Sequence, residues 1–228
     1  GASRLLAVSS YLADIALDAG ADPRRLSVHY QGVDTHWWTP APNTAESCEE
    51  PVVLFVGALS RLKGVDDLAR ASASLVGRHP HRLVLVGDGP LEAGLRERAP
   101  AHVTFVGRLD REGVREWMRR AHLLVLPTKP THGRQEAAGL VLLEAQACGV
   151  PVIAYSTGGT PEMIAPGASM LTRERSPQSL AHAIDEALAW SEDERADRGA
   201  QCRAWVDKER SLRASTEQLR AIYADLTP

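Results

Sequence analysis

Val52-Val53-Leu54-Phe55-Val56 is five consecutive apolar residues, followed by Gly57-Ala58-Leu59-Ser60-Arg61-Leu62-Lys63-Gly64. A continuous β-branched run of this kind suits a strand buried on both faces, as in a parallel sheet. After Gly64 the period changes. Val65, Leu68, Ala69, Leu75 and Val76 line one stripe at helical spacing. A strand, a glycine-bounded loop and a helix in this order predict a β-α unit.

The same unit recurs outward from this stretch. Residues 83–86, 103–106, 123–126 and 152–154 read as further buried strands. Helices are predicted near residues 91–98, from the cap Asp110 through Val114, Trp117 and Met118, and over residues 140–148. Gly149 and Pro151 sit where a helix ends. Ser176-Pro177 opens another helix, with Pro in the first turn. Upstream, residues 5–8 and 26–30 read as short strands around a helix capped by Ser9 or Ser10 and stopped at Gly20. Residues 38–50 carry Pro40, Pro42, Asn43 and three Glu without periodicity, and read as a linker. From about Ser191 the chain is expected to be charged and helical to its end. Apolar strands alternating with helices imply a doubly wound, parallel, Rossmann-like α/β sheet. Ligands of such sheets bind beyond the carboxyl ends of the strands, where strand order reverses.

Composition narrows the partners. The 228 residues hold 26 Lys plus Arg and 29 Asp plus Glu, a net charge of -3. That balance excludes a strongly basic nucleic-acid binder. No apolar run approaches the roughly 20 residues of a membrane span. The three cysteines, Cys48, Cys148 and Cys202, are far apart and form no C-x-x-C, which suits a reducing, cytoplasmic setting. The chain opens Gly1-Ala2-Ser3 straight into an apolar run, without Met and without a leader, so a fragment or processed form is expected. No metal site is expected: His79 and His81 flank Pro80 with no second ligand set.

The loop after the strand at 123–126 holds the strongest chemistry. Glu136 precedes a helix and Glu144 lies in its second turn, leaning back toward the helix start. Between them the free amides and positive dipole end of the helix suit a phosphate. Gly139 lets the backbone come close. Carboxylates beside such a seat suit hydroxyls on either side of it, the layout of a nucleotide sugar. The plain alternative is a solvated Glu136 and an exposed Glu144. Against it, Leu142, Leu143, Ala145 and Ala147 make the helix too apolar for a free face.

These residues resemble a known family. Glu136 to Glu144, followed by Gly149-Val150-Pro151, is similar to the E-x7-E signature of the retaining, GT-B-fold glycosyltransferases of family four. Gln31-Gly32-Val33-Asp34, Phe55-Val56-Gly57 with Lys63-Gly64, Val86 to Pro90, Phe105-Val106-Gly107 and Gly158-Gly159-Thr160-Pro161-Glu162 resemble its other landmarks in order. The resemblance implies the C-terminal, donor-binding half of a GT-B fold. It implies retaining transfer of a sugar from a nucleoside diphosphate, with no obligatory metal or other cofactor. Glu136 and Lys63 would be catalytic. Glu144 would hold the ribose. Gly139, Leu140 and Val141 would hold the diphosphate with Arg61 and Lys63. Gly87 and the stretch Val106, Gly107 and Leu109 would complete the nucleotide site. Residues 1–37 would end the acceptor domain, residues 51–200 form the donor domain, and residues 201–228 return to the absent domain. That domain would bind a sugar, lipid or small-molecule acceptor and could touch a membrane peripherally.

The chain departs from the pattern at Ala58, where the family carries Arg, and at Ala137-Ala138, where Gly-Phe or Gly-Leu is common. Two other readings stay open. One is a nucleotide-sugar epimerase using His132 with Glu136. The other is a non-catalytic binding module, for which Ala58 argues.

Overall fold

A computed structural model describes residues 2–41, 50–131 and 133–226. Each apolar run between residues 52 and 155 forms a strand: β3 (Val52–Val56), β4 (Arg82–Val86), β5 (Val103–Gly107), β6 (Leu123–Leu126) and β7 (Val152–Tyr155). Upstream lie β1 (Leu5–Ala7), α1 (Ser10–Asp18) and β2 (Leu26–Val28). The helices are α2 (Val65–Leu75), α3 (Glu92–Arg96), α4 (Arg111–Arg120), α5 (Leu140–Ala147), α6 (Pro177–Leu188), α7 (Glu192–Trp205) and α8 (Leu212–Ala224). The local signals operate as expected. Asp110 accepts the Gly113 N–H at 2.8 Å to start α4, and Ser176 accepts from Ser179 at 3.1 Å to start α6, with Pro177 next.

The larger sheet has the order β5-β4-β3-β6-β7-β8, and every pair is parallel. β8 (Met170–Thr172) was not legible: its three residues are half-buried or exposed and form no apolar run. Strands β3, β6 and β7 lie inside the order and are buried almost throughout, whereas β5 is half-exposed at the edge. The chain builds outward from β3 to β4 and β5, then returns to place β6 on the other side of β3. Strand order therefore reverses between β3 and β6.

The C-terminal segment corrects an expectation. It is not one continuous helix: a π-helical turn, Val206–Arg210, interrupts it, and Ser211 caps α8 by accepting from Ala214 at 3.2 Å. Arg203 of α7 points inward and donates to the carbonyls of Trp38, of Ala147 at 2.7 Å and of Thr35 at 2.6 Å. That guanidinium pins the connecting segment after β2 to the larger sheet's helices. The break turns α8 back onto the β1–β2 unit. Ser215 donates to Tyr30 O at 2.9 Å, and Gln218 donates to Val28 O at 3.5 Å. The helix expected near residues 91–98 shortens to Glu92–Arg96. The expected strands 5–8 and 26–30 shorten to three residues each. Most of the expected linker, residues 42–49, lies outside the described residues.

Glu162, from the turn after β7, ties the two sheets together. Its carboxylate accepts from Ser10 N at 2.7 Å, Tyr11 N at 3.2 Å and Tyr30 Oη at 2.8 Å. A carboxylate on the free amides of α1 also meets the positive end of that helix. Burial pushes the Glu162 carboxyl upward, but the hydrogen bonds from Ser10, Tyr30 and Tyr11 together outweigh it and hold the group below its ordinary value. A depressed folded value means this stabilisation is present above the ordinary carboxylate range and is lost as pH falls through the folded value. Glu162→Gln should therefore lower the melting temperature at pH 7 by a few degrees, for a loss of about 1 kcal/mol at a solvent-screened site. The difference should close in acid. Thermal melts at both pH values check it, and an equal deficit at each would rule out the charge as the cause.

Candidate functional site

The loops after β3 and β6 meet at the strand-order reversal, and a crevice of about 600 Å³ opens there. The β3 loop contributes Gly57 and Lys63. The β6 loop contributes Glu136, Ala137, Ala138 and Gly139. Leu140, Val141 and Glu144 follow along α5, while Leu109, Asp110, Arg111 and Val114 form the wall at the start of α4. Gln31 and Trp38 close the side nearest the connecting segment.

Lys63 and Glu136 form an ion pair across 73 residues of sequence, and both side chains are largely buried. Thr128 Oγ1 donates to the same Glu136 oxygen at 3.3 Å. The backbone of Glu136 is also fixed: its carbonyl accepts from Gly159 N at 2.9 Å. Beside it, Gly158 N donates to the Gln135 side chain at 3.1 Å. The Gly158-Gly159 pair thus braces Glu136 from behind.

Gly139 starts α5 with φ +78°, and no side chain caps the helix. Its amide end faces the crevice uncovered. A Cβ here would sit 3.3 Å from Leu142 Cδ1 and 3.4 Å from Glu136 Cγ, crowding the seat itself. Glu144, one turn in, is partly buried. Burial holds its carboxyl above the ordinary value, while the charge of Arg111 pulls the other way.

The structure brings together Lys63, Glu136, Gly139, Leu140, Val141, Glu144 and Leu109. Arg61 is exposed on the β3 loop and does not line the crevice. Gly87, just after β4, and Val106 and Gly107, at the end of β5, also stand outside the lining; Gly87 N donates to Gly107 O at 2.8 Å. His132 lies outside the described residues. Sequence reading missed Arg111 and Gln31 as lining residues, and placed Trp38 at the start of the linker. Trp38 is 2% exposed and contributes to both core and crevice. The signal for Arg111 was present: a cation in the first turn of a helix opposes the helix dipole.

His81 is buried, with its Nε2 2.8 Å from Ser72 Oγ, and His102 Nε2 meets the same hydroxyl at 2.8 Å. Among the described residues no group of three or more His, Cys, Asp or Glu is placed to hold a metal. No helix among them is long and apolar enough to cross a membrane.

Comparisons with known proteins agree with this architecture. The model of the family "Glycosyl transferases group 1" matches residues 50–189. The chain is 38% identical over 171 residues to a D-inositol 3-phosphate glycosyltransferase of Catenulispora acidiphila, covering 66% of this chain and 39% of that protein. It is 32% identical over 203 residues to a GDP-mannose-dependent monoacylated alpha-(1-6)-phosphatidylinositol monomannoside mannosyltransferase of Corynebacterium glutamicum, covering 82% and 53%. The sucrose-phosphate synthase of Thermosynechococcus elongatus superposes with a TM-score of 0.83 at 26% identity, over 99% of this chain and 59% of that one. The chain thus spans about half, or less, of these curated relatives. A parallel α/β sheet whose structural neighbours are GT-B glycosyltransferases, together with a family match over residues 50–189, places the chain in the glycosyl transferases group 1 family.

Proposed function

We propose that this chain is the donor-binding part of a retaining glycosyltransferase that takes its sugar from a nucleoside diphosphate. The observation that carries the reading is the crevice at the strand reversal, where an uncapped helix end lies between two carboxylates of different surroundings. The diphosphate would accept from the amides of Leu140 and Val141, with the helix dipole behind them. Glu144 would accept from the ribose hydroxyls. Glu136 would accept from hydroxyls of the sugar, held in place by Lys63 and Thr128. Lys63 would turn its ammonium to the departing diphosphate and lower the cost of the charge that develops there. With Ala58 in the β3 loop and Arg61 outside the lining, that stabilisation rests on Lys63 and the amides. Transfer would need no obligatory metal.

The GDP-mannose dependence in the name of the C. glutamicum relative supports the nucleotide-sugar class. The β1–α1–β2 unit and α8 would belong with a second, acceptor-binding domain, whose acceptor would be a sugar, lipid or small molecule. Two buried free cysteines, Cys148 and Cys202, suit a reducing, cytoplasmic setting.

The test is binding calorimetry with a nucleoside diphosphate and the matching nucleotide sugar. Glu136→Ala should weaken the nucleotide sugar about tenfold or more and leave the free nucleotide unchanged, since only the sugar meets Glu136. Equal losses for the two ligands would contradict the assignment of Glu136 to the sugar. Absence of binding by either ligand to the native chain would sink the reading as a whole.

A further inference from the structure

We propose that the slot between α2, α3 and the edge strand β5 is a second ligand site, and that it takes an apolar organic anion, a medium-chain acyl or aryl carboxylate. None of its lining residues lines the donor crevice, so the inference stands apart from the nucleotide-sugar reading.

The slot follows from the order of the sheet. β5 is an edge strand, and on one face of the β4–β5 pair Leu85 stands beside Phe105 in register, with Val103 on the same face of β5. α2 and α3 run back over the sheet toward the amino ends of β4 and β5. They do not close on each other there. Ala69 and Ala73, one turn apart on α2, are too small to fill the gap, and Leu95 is the apolar side chain that the short α3 brings to it. A cavity of about 450 Å³ remains, within the roughly 300–1,000 Å³ of small-molecule pockets. From Asp66 to Ala73 the helix rises about 10 Å, which sets the length of the slot.

The charged residues of the lining are Asp66, Arg70 and Arg98. The first two are balanced at one end of the slot. Asp66 pairs with Lys129 at 3.3 Å and Arg70 at 3.5 Å, and the adjacent Asp67 pairs with Lys129 at 2.9 Å and with Arg70. Two carboxylates meet two cations there, and no net charge is left. Arg98 follows α3 at the other end, where the chain leads into β5. Its Nη2 folds back beside Gly94, 3.3 Å from where a Cβ would stand. Among the described residues its guanidinium makes no hydrogen bond or ion pair. The acids nearby do not answer it: Glu92 is engaged by Arg96 at 2.7 Å, and neither Glu92 nor Glu97 lines the slot. Arg96 itself lies over the Phe105 ring, 4.5 Å from its centre. The unbalanced charge of the lining is therefore positive and sits at one end of an apolar slot. A guanidinium offers a carboxylate two parallel donors, whereas an ammonium head would meet repulsion. A ligand polar along its length does not suit the walls, because their side chains leave its donors and acceptors unsatisfied.

The experiment uses N-phenyl-1-naphthylamine, a neutral probe that fluoresces in apolar surroundings, and displaces it with octanoate, octanol or octylammonium at neutral pH. The native chain should light the probe, and octanoate should displace it at least tenfold more effectively than octylammonium. Arg98→Met should weaken octanoate about fivefold or more and leave octanol within twofold, since only the anion meets the guanidinium. Arg98 is exposed, so this variant should melt as the native chain does. Ala73→Trp, which fills the slot from α2, should abolish the fluorescence; Ala73→Leu, a smaller change, should weaken it. A native chain that leaves the probe dark, equal displacement by octanoate and octylammonium, or octanoate binding unchanged in Arg98→Met would overturn the proposal. So would displacement of the probe by UDP or GDP, which would place it in the donor crevice, or full fluorescence in a folded Ala73→Trp. Failure of the chain to bind any nucleotide would sink the donor reading and leave this result untouched.

Discussion

Glu144→Gln is expected to weaken nucleoside diphosphate binding about a hundredfold and, at neutral pH, to melt at a higher temperature than the native chain. The two effects share a cause. Hydrogen bonds to a charged acceptor are worth about 1.5–3 kcal/mol each, and two ribose hydroxyls on one carboxylate account for the loss. The same carboxylate is held above its ordinary value by burial in the apolar wall of α5, only partly offset by Arg111. A carboxyl with a raised folded value binds protons more readily in the native state than in the unfolded one. Stability then falls as pH rises from the ordinary carboxylate range through the raised value. Above the raised value that penalty is present, and the neutral amide removes it. Below the ordinary range the acid is itself neutral, and the advantage of Gln should disappear. Calorimetry with UDP and GDP and thermal melts at pH 4 and 7.5 check both halves. A variant that binds as before and melts lower at neutral pH would show that Glu144 is a structural residue.

Gly64→Ala is expected to lower stability by about 3 kcal/mol, roughly a 10 °C drop in melting temperature for a chain of this size. Gly64 starts α2 with φ +68°, where a side chain is strained in any surroundings. Its surroundings are also closed: a Cβ would sit 1.9 Å from the Pro127 carbonyl oxygen, so the β3 and β6 loops would have to separate. These loops are otherwise joined by Lys129 N donating to Leu62 O at 2.9 Å. Separation would also pull Lys63 from Glu136, so nucleotide-sugar affinity should fall with stability. Gly20→Ala provides the comparison. It has φ +91° and nothing within 4 Å, so it should lose only the backbone part, about 1 kcal/mol. Equal melting temperatures for the two variants would show that the loop contact carries no weight.

The α/β reading rests on short-range information. The run Val52–Val56, the turn glycines and the caps Asp110 and Ser176 each act within a few residues, so their meaning survives without the fold. Where local signals were weak, the reading failed. β8 has no apolar run. The break at Val206–Arg210 lies in a sequence whose charges suit an uninterrupted helix, and only the docking of α8 on Tyr30 and Val28 accounts for its direction.

Residue type and spacing determined that Glu136, Gly139 and Glu144 flank one helix start, because three positions on one short segment cannot separate far. The order of β3 and β6 in the sheet alone decided that Lys63 meets Glu136, that Arg111 and Trp38 share their crevice, and that Arg61 and Gly87 stay outside it. Glu162 capping a helix 152 residues upstream belongs to the same class. Such pairings follow from which strand lies beside which. That choice is made by burying every strand face of the sheet at once, and no single stretch of the chain carries it.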